Sequence, residues 1–203
     1  MIVAGLTGSI AMGKSTVGRM FAELGAPVFD ADAAVREFYR SDEAEAVEAA
    51  FPGVRVDGDV DRGLLAAATL GDPAALKRLE AIVHPDVARR RQAFLAAAAA
   101  VGRRLAIVDV PLLFETGGEK TVDLVVVVSA GLEAQRARAL SRPGMSEAKL
   151  AAILARQTPD AEKRRRAHWV IDTRGPYPAT RAQVAALLRA LAAVPGRRPT
   201  ADA

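Results

Sequence analysis

Residues 8–15 read Gly8-Ser9-Ile10-Ala11-Met12-Gly13-Lys14-Ser15, a complete G-x-x-x-x-G-K-[ST] spacing. Glycines at both ends let the backbone turn tightly and aim successive N–H groups inward, making a concavity for phosphate oxygens. In this pattern Lys14 reaches the β- and γ-phosphates of a nucleotide, and the Ser15 hydroxyl is placed to coordinate Mg²⁺. The cradle is expected to comprise Gly8, Ser9, Ile10, Ala11, Met12, Gly13, Lys14, Ser15 and Thr16. Both flanks agree with this reading. Residues 2–7 are an apolar run of strand type, and residues 15–24 carry Val17, Met20, Phe21 and Leu24 at helical spacing. Strand, loop, helix sets the partially positive end of a helix against the bound phosphate. The stretch predicts binding of ATP or GTP with Mg²⁺.

Outward from the loop, further apolar runs at 27–29, 105–110 and 122–128, with a weaker one at 168–171, alternate with helical patterns. That alternation predicts a parallel sheet covered on both faces. Between the second and third runs lie helical patterns at 33–39, 42–50, 62–69, 74–83 and 86–101, the last two expected to be separated by Pro85. Helices at 132–140 and 146–157, joined by the turn Ser141-Arg142-Pro143-Gly144, form an arginine-rich segment suited to a mobile lid over phosphates. A last helix is expected at 179–192, then a disordered tail over 195–203.

Composition narrows the classes. A chain of 203 residues, 51% hydrophobic, can bury the core of one domain. With no cysteine there is no disulfide, zinc–thiolate site or cysteine nucleophile. No apolar stretch reaches membrane-spanning length, and the N-terminal run lacks the basic flank of a signal peptide, so a cytoplasmic protein is expected. The net charge of +4 suits a polyanionic small molecule. No basic stripe interleaved with aromatics suggests nucleic acid. Arg89-Arg90-Arg91 and Lys163-Arg164-Arg165-Arg166 read as solvated helix faces.

Asp30 and Asp32 close the second strand, where ligands of open parallel sheets bind. A carboxylate there can take the proton of an attacking hydroxyl or help hold Mg²⁺, or it can cap the helix that follows. The strand 105–108 ends in Asp109, an acid that can bind Mg²⁺ opposite the loop serine. Arg138, Arg142 and Arg156 can neutralise charge on a transferring phosphoryl group. No guanine-reading motif is visible, which favours ATP.

Taken in order, the string resembles the dephospho-CoA kinase family over nearly the whole chain. It runs from residues 3–16 through Leu24-Gly25, Asp30-Ala31-Asp32, His84-Pro85 and Val110-Pro111-Leu112-Leu113-Phe114-Glu115. It continues through Gln135-x-x-Arg138-x-x-x-Arg142, Arg156-Gln157 and Val170-Ile171-Asp172. The resemblance implies transfer of the γ-phosphoryl group of ATP to the ribose 3′-hydroxyl of dephospho-CoA. It implies a three-layer α/β P-loop NTPase fold with a five-stranded parallel sheet, similar to nucleoside monophosphate kinases. The core would span 1–32, 103–131 and 167–194, with a helical acceptor-binding insertion at 33–102 and a lid at 132–166. By the same resemblance Asp32 is the general base. Lys14, Arg138 and Arg142 are catalytic, and Ser15 and Asp109 hold Mg²⁺. Asp30, Asp32, His84, Leu113 and Glu115 meet the acceptor, and the chain is a monomer or weak homo-oligomer. Met12 stands where the family commonly has serine; its backbone N–H is what phosphate needs, so the departure is expected to be tolerated. His168 and Thr173 stand where aspartate and asparagine are more usual, in a loop that would meet adenine. Other P-loop kinases, acting on nucleoside monophosphates or polyols, and a non-catalytic nucleotide-binding regulator are the alternative readings.

Overall fold

A computed structural model describes residues 1–193 and divides them into two compact units, one formed by 1–29 with the chain from 98 onward, the other by 30–97. The first unit is built on a five-stranded parallel sheet. In chain order its strands are β1 (Ile2–Thr7), β2 (Val28–Asp30), β5 (Leu105–Asp109), β6 (Leu124–Ser129) and β7 (Trp169–Asp172). Their order across the sheet is β2-β5-β1-β6-β7. β1 is central, with Leu6 level with Asp109 on one side and with Val126 on the other. The valine run of β6 shows why the sheet is covered twice. Val126 and Val128 join the core made by Leu6, Val17, Met20 and Phe21 with Ile171, Val184 and Leu187, while Val125 and Val127 pack on Leu113 and Phe114. Side chains two apart share a face, so a strand apolar at every position is buried on both.

Helix α1 (Lys14–Glu23) follows the loop, and α9 (Tyr177–Ala193) lies beside it against the first of those cores. Between β6 and β7 run α6 (Gly131–Leu140), α7 (Glu147–Leu154) and α8 (Asp160–Arg166). Of the expected 146–157 helix, the N-terminal part survives as α7, capped by Ser146, whose hydroxyl accepts the Lys149 N–H. Sequence periodicity did not reveal α8. Its charge run is not simply a solvated face, because Lys163 is fully buried and ion-paired with Glu115.

The second unit comprises α2 (Ala31–Phe38), α3 (Glu45–Ala50), the hairpin β3 (Arg55–Val56) and β4 (Asp59–Val60), α4 (Arg62–Thr69) and α5 (Pro73–Ala100) as far as Ala97. Phe38, Val47, Phe51, Leu65, Leu79 and Val83 are among its core residues. The hairpin turns through Asp57 and Gly58, both at positive φ. Asp-Gly is the pair that such a two-residue turn selects. Pro85 does not divide the long helical segment: α5 is one helix of 28 residues. An internal proline removes one N–H and costs roughly 3 kcal/mol. Here it sits exposed between a packed turn at Leu79 and Val83 and a turn pinned by Asp86, which accepts from both Arg89 and Arg90.

No described helix is long and apolar enough to cross a membrane.

Candidate active site

The phosphate loop is shaped by its neighbours as much as by its glycines. A Cβ on Gly8 would lie 2.7 Å from the Val128 carbonyl oxygen, so β6 admits only glycine there. Gly13 stands at φ +91 as the N-cap of α1, a left-handed conformation that glycine adopts without penalty. Within the loop the Met12 N–H turns back to the Ser9 carbonyl at 3.2 Å. The Met12 side chain is fully buried, and Sδ accepts the Ala130 N–H at 3.1 Å, at the start of α6.

Lys14 Nζ lies 2.6 Å from Asp109 Oδ1, joining the first residue of α1 to the last of β5. Both side chains are largely buried, which strengthens their attraction relative to a surface pair. Gly18, one turn along α1, lets the helix lie close to this acid: a Cβ there would come within 3.4 Å of Asp109 Oδ2. A glycine inside a helix was the available signal for that approach. Ser15 is exposed beside Lys14. A carboxylate and a hydroxyl are hard oxygen donors of the kind that suit Mg²⁺, which binds with few protein ligands and keeps several waters.

Beside the loop is a cavity of about 300 Å³ lined by Gly13, Thr16, Arg138, Arg142, Thr173 and Tyr177. Arg138 is fixed there: Nη2 donates to the Thr173 carbonyl at 2.6 Å and Nη1 to Thr173 Oγ1 at 3.2 Å. That hydroxyl in turn donates to the Met12 carbonyl at 2.8 Å. Arg142, on the same wall, and Arg156, at the end of the lid segment, are both exposed. Thr173 thus sits against the loop. His168 does not. It precedes β7, where its N–H donates to the Val125 carbonyl and its Nδ1 accepts the Val125 N–H. The four residues of β7 lie between it and Thr173, five steps of roughly 16 Å in all.

Two residues assigned to the acceptor belong instead to the interior. Leu113 is 1% exposed, in the cluster with Phe114, Val125 and Val127. Glu115 Oε1 lies 2.9 Å from Lys163 Nζ and accepts the Thr158 N–H at 2.7 Å, and Oε2 is also buried. Burial pushes this carboxyl up, but the Lys163 ammonium and the Thr158 N–H outweigh it and hold the group below its usual range. A carboxylate spent on two internal partners anchors the segment between α7 and α8.

In the second unit, Asp30 caps α2 by accepting the Ala33 N–H at 2.8 Å, so the capping reading of that residue is realised. Asp32 lies exposed in the first turn of the same helix, and His84 is exposed on α5. The cap duty taken by Asp30 leaves the Asp32 carboxylate available for chemistry. Asp86, two residues beyond His84, is 7% exposed and gathers Arg89 and Arg90, which also reach Glu43 and Glu37. Those arginines form a charge network with Asp86 on α5, Glu37 on α2 and Glu43 in the turn between α2 and α3.

Residues 1–178 match the model of the family described as CoaE, dephospho-CoA kinase. The chain belongs to the dephospho-CoA kinase family. A dephospho-CoA kinase of Rhodopseudomonas palustris (strain BisB18) is 56% identical over 198 residues, covering 98% of this chain and 100% of the relative. The crystal structure of TT1252 from Thermus thermophilus superposes with a TM-score of 0.80 at 36% identity, covering 96% of this chain and 98% of that one. A dephospho-CoA kinase from Campylobacter jejuni, 22% identical, shares the fold at a TM-score of 0.64 over 93% of this chain and 96% of its own. As a member of the dephospho-CoA kinase family the chain is a P-loop kinase, with ATP as the phosphate donor.

Proposed function

We propose that this chain transfers the γ-phosphoryl group of ATP to the ribose 3′-hydroxyl of dephospho-CoA, giving coenzyme A and ADP in the last step of CoA synthesis. The observation that carries the reading is Lys14, 2.6 Å from Asp109, in a phosphate loop beside a cavity walled by arginines, in a chain of this family. On this reading the loop N–H groups and Lys14 hold the β- and γ-phosphates, and the cavity beside Thr173 takes the nucleoside. Arg138 and Arg142 face the charge that spreads over the phosphoryl oxygens in the transition state. The 3′-oxygen attacks the γ-phosphorus, the bond from that phosphorus to the β–γ bridging oxygen breaks, and ADP leaves. Asp32 takes the hydroxyl proton. Ser15 and Asp109 would hold Mg²⁺, which when bound offsets negative charge on the β- and γ-phosphates. Lys14 then exchanges Asp109 for phosphate oxygens as ATP enters.

The 33–102 segment is read as the acceptor-binding insertion, with Asp32 and His84 meeting dephospho-CoA, and 132–166 as the lid. The chain is read as cytoplasmic, a monomer or weak homo-oligomer. The test is acceptor-dependent ADP release, measured with dephospho-CoA, adenosine, AMP, CMP, shikimate and gluconate in turn. Release confined to dephospho-CoA is expected; equal or greater turnover with another acceptor, or slow release independent of any acceptor, refutes the reading.

A further inference from the structure

Two glutamines from different elements converge on one residue of the phosphate loop. Gln135 Nε2, on α6, donates to the Ile10 carbonyl at 2.9 Å, and Gln157 Oε1, in the segment beyond α7, accepts the Ile10 N–H at 3.1 Å. The polarity is fixed by the partners, because a carbonyl only accepts and an N–H only donates. Gln135 is 2% exposed. Immediately after the clasped residue, Ala11 stands at φ +62, a left-handed conformation that alanine rarely adopts. Its methyl group is buried in a small apolar cluster with Ala139 of α6 and Leu150 of α7. Backbone strain of this kind persists only where the surroundings over-determine it. The left-handed residues Ala11 and Gly13, with Met12 between them, are what curl the loop into an anion-binding nest.

We propose that Gln135 and Gln157 are positioning residues for ATP: their clasp on Ile10 holds Ala11 left-handed, so that the nest is formed before phosphate arrives. They act through Ile10 and do not themselves meet the nucleotide. Gln135 lies three residues before Arg138, on the same face of α6, so the clasp also sets the helix that carries the Thr173-bound arginine. The proposal rests on ATP being the ligand of the loop.

The test uses the full chain with Gln135→Leu and Gln157→Leu, near-isosteres without the hydrogen bonds. KM for ATP, KM for dephospho-CoA and the Kd of a fluorescent ADP analogue are measured well below each variant's Tm. Each substitution is expected to raise KM for ATP and the ADP Kd roughly five- to tenfold, the weight of one hydrogen bond, with KM for dephospho-CoA within about twofold of wild type. Because glycine adopts φ +62 freely, the same substitutions in an Ala11→Gly background are expected to lose about half as much affinity, or less. A second pair reads the polarity. Gln157→Glu keeps an acceptor for the Ile10 N–H, whereas Gln135→Glu sets a carboxylate against the Ile10 carbonyl. Both add one negative charge, and Gln135→Glu is expected to bind ADP at least fivefold more weakly than Gln157→Glu. Should either leucine variant fail to fold, this pair carries the test. Folded leucine variants with wild-type nucleotide affinity, equal losses for both substrates, or glutamate variants that bind alike would each overturn the proposal. Wild-type protein that binds ADP yet releases none in the presence of dephospho-CoA would overturn the functional reading while leaving the clasp intact.

Discussion

Replacing Lys163 with methionine isolates what the buried pair with Glu115 contributes. Lys163 Nζ is 2.9 Å from Glu115 Oε1, with the lysine side chain fully buried and that of the glutamate 13% exposed. At that distance, with an effective dielectric constant near 20, the gross attraction is about 6 kcal/mol. Burial of each ion costs several kcal/mol, so the net worth of the pair against an apolar replacement is small. The single substitution is another matter. Methionine fills the lysine's volume but leaves the Glu115 carboxylate buried without a counter-charge at that position, still accepting the Thr158 N–H. Breaking such a pair costs about 3–5 kcal/mol. For a chain of this length that lowers Tm by roughly 10 °C. The double variant, Lys163→Met with Glu115→Leu, removes both charges and is expected to recover most of the loss, short of about 1 kcal/mol for the orphaned Thr158 N–H. Calorimetric Tm values of the four proteins of the cycle test this. A Lys163→Met shift under about 3 °C, or a double variant no more stable than the single, refutes the reasoning. The double variant also probes chemistry: its KM for dephospho-CoA is expected to match wild type, and a tenfold rise would return Glu115 to the acceptor site.

Three further outcomes follow from the geometry. Asp32→Asn is expected to lower kcat by roughly two to four orders of magnitude in the ADP-release assay, and a near-normal kcat removes Asp32 from the role of base. Gly8→Ala sets a methyl 2.7 Å from the Val128 carbonyl oxygen; we expect a loss of about 1–3 kcal/mol in urea unfolding together with weakened ATP binding, and wild-type values on both would show that β6 yields at no cost. The third concerns pH. Glu115 has a lowered carboxyl pKa in the folded chain, so its contribution is complete above the unfolded carboxylate value, roughly 4.3, and fades as pH falls through the lower folded value. The stability gap between wild type and Glu115→Gln should be level above about pH 5 and close on the acid side. A gap that widens as pH falls contradicts the sign.

The sheet was legible in the sequence because parallel strands buried on both faces are continuous apolar runs, and β6 with its four consecutive valines is the clearest case. The loop was legible because its chemistry is local. What escaped was settled by distant partners. Pro85 breaks helices in isolation, yet α5 carries it, because turns on either side are packed or ion-paired. The charge run 163–166 looked like solvent-facing arginines and lysine, but Lys163 found Glu115, forty-eight positions earlier in the chain. The same pairing withdrew Glu115 from the acceptor, and the interior claimed Leu113. Two misses had local signals. Asp57-Gly58 marks the β3–β4 hairpin, and Gly18 marks the approach of Asp109 to α1. Gln135 and Gln157 stood in recognised motifs, but nothing in their spacing tells that both close on Ile10.

The central position of β1 also sets a schedule for the growing chain. The strand leading into the phosphate loop is made before both of its neighbours, β5 and β6, which come roughly a hundred residues later. At about 5–20 residues per second, that strand waits on the order of 5–20 s for a hydrogen-bonding partner on the ribosome. The 30–97 unit, one contiguous stretch of chain, completes its sequence within that interval. Nascent β1 is therefore an apolar segment whose two partner strands are made only after the 30–97 stretch has completed its sequence.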